Sequence, residues 1–289
     1  MNAHVVECLR CPLCASRLTE ADAGSGRALR CLEGHSFDIA RQGYVNLHLQ
    51  PPAHTGDTAE MLAARAAFLV AGHYEFVSTA IVHAAVASCR PGSGDKGARL
   101  VIDAGSGTGH YLARVLDAMP DLAGLALDVS KAALRRAARV HSRASGALCD
   151  VWGQWPLAAG AAGLILSVFA PRNASEFQRV LAADGALIVV TPGAGHLAEL
   201  VDALGLLSVD PDKDKAVAAA LGGRFDQIAD ERHDRVLRLA HAEVHSLVSM
   251  GPSAWHVDPA ALATSIGALP EVVTVTASVR VGSYRPRPR

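Results

Sequence analysis

The sequence predicts an α/β protein in which a doubly wound, mostly parallel sheet carries helices on both faces, preceded by a small metal-binding module. Two observations carry this. From Leu100 onward, short apolar runs that close on an acid or on a Pro/Gly cluster alternate with helical patterns. Four of the six cysteines also fall within the first 31 residues. At 289 residues, 50% hydrophobic and 19% charged, the chain can bury a substantial core and is not disordered. No apolar run reaches the roughly 18 residues of a membrane span. Met1 to Arg10 is polar and mixed, unlike a signal peptide. The expectation is a soluble, cytoplasmic protein with no membrane partner. A formal net charge of −1 leaves no whole-molecule field for nucleic acid, so any such contact rests on local patches.

Residues 1–50 read as the separate module. Cys11-Pro12-Leu13-Cys14 is a knuckle, and Cys31 is followed four residues later by His35. In a cytosolic chain such clustering points to metal rather than to disulfides. Cys11, Cys14, Cys31 and His35 make a Cys3His set, which suits tetrahedral zinc. Unligated thiols are the alternative, and a set shifted to Cys8 and Cys11 is a second. The Pro12-containing knuckle favours Cys11 and Cys14, leaving Cys8 as a spare thiol. Gly24-Ser25-Gly26 reads as a hairpin turn between the ligand pairs. With so few apolar residues, the module needs a structural metal.

Residues 51–98 read as a helical linker and cofactor lid. A Pro/Gly-rich stretch, Gln50 to Gly56, leads to a helix capped by Asp57 or Thr58, with Met61, Ala64, Phe68 and Leu69 as its apolar face and Gly72 at its end. After His73-Tyr74, a second helix buries Phe76, Val77, Ile81, Val82 and Val86, and Arg90 to Gly94 marks a loop.

Residues 99–289 form the main domain. Leu100–Ile102 is its first strand, followed by Gly105-Ser106-Gly107-Thr108-Gly109 and a helix to Met119. Gly124–Leu127 is a second strand ending at Asp128, and Ser130 caps a helix carrying Lys131, Arg135, Arg136 and Arg139. Ala147–Cys149 ends at Asp150, Leu164–Phe169 runs into Ala170-Pro171-Arg172-Asn173, and Ala186–Val190 is a fifth strand after a helix through Phe177 and Leu181. Beyond these come a helix near 196–206, a charged segment, Asp210 to Lys215, that opens another, helices near 241–250 and 258–266, and strands at 235–239 and 272–281. Ligands of such sheets sit beyond the carboxyl ends of the strands.

The glycine turn at a helix N-terminus suits close approach of a polar ligand. A dinucleotide site wants GxGxxG and one acid about 20 residues on. Here the glycines run GxGxG, Asp103 precedes them, and Asp128 and Asp150 each end the next strand in turn. That order fits S-adenosylmethionine: Asp128 for the ribose hydroxyls, Asp150 for the adenine amino group, and Asp103 near the methionine end, with the backbone of Gly105, Gly107, Thr108 and Gly109 as the cradle. An NAD-type site is the alternative.

Several further stretches carry a resemblance. Gly34-His35-Ser36-Phe37-Asp38-Ile39-Ala40-Arg41-Gln42-Gly43-Tyr44-Val45-Asn46-Leu47, Ala71-Gly72-His73-Tyr74, Leu127-Asp128-Val129-Ser130-Lys131, Phe169-Ala170-Pro171 and Thr191-Pro192-Gly193, together with the first knuckle, resemble the RlmA-type 23S rRNA (guanine-N1)-methyltransferases. Val201 to Leu206 and Met250 to Ser253 place the chain nearest the branch that contains the tylosin-resistance methyltransferase of antibiotic producers. The resemblance implies a Rossmann-like class I methyltransferase with a seven-stranded, mostly parallel sheet. It implies zinc at Cys11, Cys14, Cys31 and His35, and S-adenosylmethionine at Gly107 and Thr108 with Tyr74 and His196 as further contacts. It also implies a guanine of the hairpin-35 region of 23S rRNA as substrate, macrolide resistance as outcome, and a homodimer that clamps RNA. Ser106 and Thr108 stand where relatives often carry Cys and Glu, which puts one polar contact in doubt.

No residue is an unambiguous base for the guanine N1 proton. The candidates after the fourth strand are Phe169, to stack on a flipped base, and Arg172, to hold phosphate or O6. The bland alternatives are a core Phe and a solvated Arg. RNA contact is expected from Arg10, Arg17, Arg27, Arg30 and Arg41 of the module and from the Lys131–Arg139 helix. Trp152, Trp155 and Trp255 are candidates to stack on bases, with core packing the favoured reading for each. Two other functions compete: a zinc-dependent RNA-binding protein with an inactive methyltransferase fold, and a small-molecule methyltransferase acting on the antibiotic.

Overall fold

Eleven strands form one sheet in the computed structural model, which describes residues 1–24, 26–49, 56–89 and 100–288. Most of the linker expected at 50–56 and the loop expected at 90–94 lie outside the described residues. The order is β1 (Thr19–Ala23), β2 (Gly26–Arg30), β3 (Ser36–Ile39), β4 (Tyr44–Asn46), β7 (Ala144–Leu148), β6 (Ala123–Asp128), β5 (Leu100–Ala104), β8 (Ala162–Val168), β9 (Leu181–Pro192), β11 (Val272–Pro286) and β10 (Phe225–Ala240). From β7 to β10 this is the expected seven-stranded unit. Its neighbours pair in parallel except at β11, which runs antiparallel to both β9 and β10.

The N-terminal segment, read from the sequence as a module apart, extends this sheet. Its β4 pairs in parallel with β7 through Tyr44, Val45 and Asn46. The helix α1 (Ala3–Cys8) packs beside the strands, and Leu9 bridges to Leu157. The sequence hides this continuity because β4 is only three residues long and its partner lies about a hundred residues downstream.

The strands bury both faces, so they read as continuous apolar runs. Alternate residues serve different cores. Val101, Ala126, Leu164 and Ile188 face one that includes α2 (Ala59–Val70), α3 (Glu75–Ser88), α4 (His110–Ala118), α5 (Lys131–Ala137) and α9 (His241–Ser249). Leu100, Ile102, Leu125 and Leu187 face the other, with α1, α6 (Ala174–Val180), α8 (Lys213–Leu221) and the buried Trp155. Cys11 and Cys31 belong to that second core. Two further helices, α7 (Ala198–Leu204) and α10 (Pro259–Gly267), complete the fold. No single helix among the described residues is long and apolar enough to cross a membrane.

Local signals explain most boundaries. Thr58 caps α2 by accepting from Met61 N, Ser130 caps α5 by accepting from Ala133 N, and Asp258 caps α10 by accepting from Ala261 N. Several expectations differ from the structure. Leu181 begins β9 rather than ending a helix, and Arg139 lies past the end of α5. Val86 is exposed, as are Trp152 and Trp255, while Trp155 alone of the three tryptophans is core. The strand expected at 235–239 starts ten residues earlier, at Phe225. Its first half is charged because β10 is the outer strand and shows both faces to solvent.

Leu9 is fully buried at the bridge between the N-terminal segment and the main sheet. Leu9→Ala is expected to cost about 2–5 kcal/mol, read as a lower Tm for the whole chain in a thermal melt.

Candidate functional site

Two tight turns build the metal cluster. In the first, Ala15 N donates to Cys11 O (2.8 Å) and Cys11 N to Ser16 O (2.9 Å). In the second, Gly34 N donates to Cys31 O (3.0 Å) and Cys31 N to His35 O (3.1 Å), with Gly34 at φ 82°, a conformation that favours glycine. The ligand atoms of Cys11, Cys14, Cys31 and His35 all lie within 4.8 Å of one another. Cys14 Sγ and Cys31 Sγ are 3.7 Å apart, and His35 Nδ1 stands 3.3 Å from Cys31 Sγ and 3.5 Å from Cys11 Sγ. Tetrahedral zinc, from its usual bond lengths, requires S···S edges of about 3.8 Å and S···N edges of about 3.6 Å. The donor set and its spacing therefore fit zinc. Cys8 points elsewhere, its Sγ 3.9 Å from Ala161 O, so the shifted ligand set is excluded.

The second site lies at the carboxyl ends of β5, β6 and β8. Gly105, Gly107 and Gly109 all have positive φ, at 75°, 52° and 77°. A Cβ on Gly105 would meet Ala170 Cβ at 2.8 Å, and one on Gly109 would meet Ala137 Cα at 2.9 Å, so the turn passes where side chains cannot. Leu127 O accepts from both Gly105 N (2.9 Å) and Ser106 N (3.1 Å). Asp128 grips the same turn: Oδ2 accepts from Gly107 N at 2.9 Å and Oδ1 from Ser130 N at 2.8 Å. Thr108 and Ser106 are buried, and Ser106 Oγ has no partner among the described residues.

Asp103 and Asp128 are in step with Val101 and Ala126, so both face the side covered by α2 and α3. Burial, aided by the charge of Asp128, pushes the Asp103 carboxyl up to about 7. Burial also pushes Asp128 up to about 6, against the lowering effect of the Ser130 and Gly107 N–H groups. Asp150 stands apart: its Oδ1 accepts from Trp152 N at 2.9 Å in the loop after β7.

Tyr74, His196 and Phe169 meet at the mouth. Tyr74 is buried where α3 begins, and burial holds its phenol well above the usual tyrosine range. Its Oη lies 3.3 Å from His196 Nε2, and Ser278 N donates to His196 Nδ1 at 3.1 Å. With Nδ1 accepting, Nε2 carries the proton and donates to Tyr74, and burial lowers the pKa of the ring. The loop holding His196 is strapped to β11 by Gly193 N to Ser278 O (2.9 Å) and Leu197 N to Thr276 O (2.8 Å). The Phe169 ring sits 6.5 Å from Tyr74 and 6.4 Å from His196, centroid to centroid.

Phe169 is not core: it is 39% exposed and has a φ of 51°. A left-handed aromatic residue costs about 1–3 kcal/mol and marks a site where geometry outranks stability. Arg172 does not join this group. Its Nη1 lies 3.5 Å from Ala170 O, its Nε is buried without a partner among the described residues, and its phenolic neighbour is Tyr284 of β11.

Sequence reasoning missed Arg65 and Tyr111. Arg65 of α2 lies over the glycine turn, with Nη1 3.6 Å from where a Gly107 Cβ would stand. It pairs with Asp57 at 2.7 Å and donates to Met250 O at 2.8 Å. Tyr111, in the first turn of α4, is felt electrostatically by Tyr74, Arg65 and Asp103. The available signal was an arginine in an otherwise alanine- and leucine-rich helix.

The strand order, the left-handed glycine turn and the acids on consecutive strand ends define a class I, S-adenosylmethionine-dependent methyltransferase, here fused to a Cys3His zinc ribbon. Residues 9–51 match the zinc-ribbon family described as RlmA, N-terminal. The 23S rRNA (guanine(748)-N1)-methyltransferase of Streptomyces fradiae is 49% identical across the whole of both chains. Proteins described provisionally as 23S rRNA (guanine-N1)-methyltransferases are 56% identical in Micromonospora griseorubida, over 99% of this chain and 100% of that one, and 34% identical in Bacillus subtilis, over 85% and 86%. The chain belongs to the 23S rRNA (guanine-N1)-methyltransferase family.

Because Cys11 and Cys31 share a core with Leu125, Leu127 and Trp155, zinc removal is expected to reach beyond the ribbon. Chelation should lower the Tm of the entire chain in one calorimetric transition, and added zinc should restore it. A separate ribbon transition that leaves the main one in place would contradict this coupling.

Proposed function

We propose that this protein transfers a methyl group from S-adenosylmethionine to N1 of a guanine in the hairpin-35 region of 23S rRNA, and that the modification confers tylosin-type macrolide resistance. The observation that carries the reading is the full-length 49% identity to the Streptomyces fradiae enzyme, whose name specifies guanine 748. The protein acts in the cytoplasm in this reading, as a homodimer on the RNA.

When bound, S-adenosylmethionine supplies an electrophilic methyl on a sulfonium. The backbone of Gly105, Gly107, Thr108 and Gly109 would hold it, with Asp128 to accept from the ribose hydroxyls, Asp150 from the adenine amino group and Asp103 toward the methionine end. Tyr74 and His196 would be its further contacts. Phe169 stacks on the extruded guanine. Neither Tyr74, held protonated by burial, nor His196, whose Nδ1 is occupied by Ser278 N–H, accepts the N1 proton. With these two excluded, the N1 proton would pass to solvent as the methyl is transferred and S-adenosylhomocysteine leaves, and rate would come largely from holding N1 in line with the methyl.

The RNA runs along one continuous basic edge. A Cβ on Gly43 of the ribbon, at φ 93°, would stand 3.6 Å from Ala138 O, a close approach that brings exposed Arg41 beside the end of α5 with its exposed Lys131, Arg135 and Arg136. Arg27 contributes less, being paired with Glu20.

Reverse transcription of 23S rRNA from cells with and without the protein tests the reading: a stop at a guanine of hairpin 35 is expected only with it. A stop elsewhere, or none, overturns the substrate. Phe169→Ala is expected to lower kcat/KM by about 5- to 150-fold, the size of one aromatic–base stack, with S-adenosylmethionine affinity unchanged by calorimetry.

A cationic ligand favours ionised Asp103 and Asp128, whose carboxyls are raised to about 7 and about 6 in the free protein. Binding should release protons, so affinity rises with pH through that window and levels off above it. Asp103→Asn is expected to remove the upper part of this rise. It should also raise the Tm of the free protein above pH 7, where the native carboxyl is ionised in its buried site. Calorimetry in buffers of different ionisation enthalpy and melts across pH 5–8 check both.

A further inference from the structure

We propose that Arg65 binds the α-carboxylate of S-adenosylmethionine, so that α2 is the part of the fold that recognises the amino-acid end of the donor. This rests on the cofactor assigned above. That cofactor carries two positive groups, the sulfonium and the ammonium, and one negative group, the carboxylate. Asp103 faces the methionine end with its positive groups, and Asp128 is a second buried acid on the next strand end. The cation that acts electrostatically on both Asp128 and Tyr111 is Arg65. An acid pair with one arginine opposite matches the charge order of an amino-acid zwitterion next to a sulfonium.

The guanidinium is held in place and left partly unused. Both of its bonds run through Nη2, to Asp57 at 2.7 Å and to Met250 O at 2.8 Å. Nε is buried with no partner among the described residues, and Nη1 looks over Gly107. Buried donors without acceptors are costly and call for one. A carboxylate is the acceptor whose planar geometry an arginine matches best. The supports are themselves anchored to the cofactor site. Ser130 Oγ donates to Asp57 O at 2.9 Å, and a Cβ on Gly56 would stand 2.9 Å from Val129 Cγ2, so the segment entering α2 lies directly on the turn that follows Asp128. The guanidinium is thus presented to the methionine end by two elements, with the Met250 carbonyl fixing its far side.

Calorimetric binding of S-adenosylmethionine and of decarboxylated S-adenosylmethionine, which lacks only the carboxylate, tests this on the full chain. The wild type is expected to prefer the carboxylated ligand by about 10- to 100-fold, the usual yield of a charged hydrogen-bonded pair. Arg65→Met should weaken S-adenosylmethionine by a similar factor and leave the decarboxylated ligand within about threefold, so that the preference collapses. Arg65→Lys, which keeps the charge but not the fork, should retain an intermediate preference. Equal binding of the two ligands by the wild type overturns the proposal whatever the variants do. Equal weakening of both ligands by Arg65→Met also overturns it, by showing a structural role through Asp57 and Met250. Failure of the wild type to bind S-adenosylmethionine at all would instead overturn the cofactor assignment.

Discussion

The carboxylate of Asp128 holds the site together. One oxygen takes Gly107 N–H and the other Ser130 N–H, so a single side chain ties the turn after β5 to the turn after β6. Everything downstream depends on that tie. It fixes the left-handed backbone of the glycine turn, sets the start of α5, and places the turn under Arg65. A carboxylate has about four acceptor positions, so two backbone bonds leave room for a ligand's hydroxyls. The cost is a buried acid, and the raised carboxyls of Asp128 and its neighbour Asp103 record it. A positively charged ligand is the natural remedy for such a pair.

The same economy governs the N-terminal segment. A ribbon of short strands has too little apolar surface to stand on metal alone. Here β4 joins the edge strand β7, and Cys11, Leu29 and Val45 enter the core that holds Leu125 and Trp155. Zinc fixes the two knuckles, and the sheet fixes the ribbon. The β3–β4 turn meets the end of α5 through Gly43 and Ala138, so the basic residues on the two elements share an edge as a consequence of packing.

Much of this was legible in the sequence because it depended on local rules. The glycine turn, the acids at strand ends, the helix caps at Thr58 and Ser130, and the Cys3His spacing each follow from short-range chemistry. What was not legible depended on long-range pairing or on which face meets solvent. The β4–β7 ladder joins residues a hundred apart, and the charged first half of β10 carries no apolar alternation because neither of its faces is covered. Trp152 and Trp255 are hydrophobic by type and exposed by position. Arg65 was invisible for the same reason: an arginine on a helix reads as a solvated charge until the helix is seen to lie across the turn.

Phe169 is where the two halves of the site meet, and its backbone explains why. Its N–H still bonds to Val190 O at 3.0 Å, so β8 has not ended its pairing when the chain swings into a left-handed conformation. A residue that continued the strand would send its side chain into one of the two cores. The positive φ instead brings a half-exposed ring beside Tyr74 and His196, and three residues later the chain turns Arg172 toward Tyr284. A sheet optimised for stability would have no use for that turn. It sits at the strand end nearest the glycine turn, where Gly105 leaves no room for a Cβ against Ala170, so the exposed ring and the left-handed turn are placed side by side by the same packing.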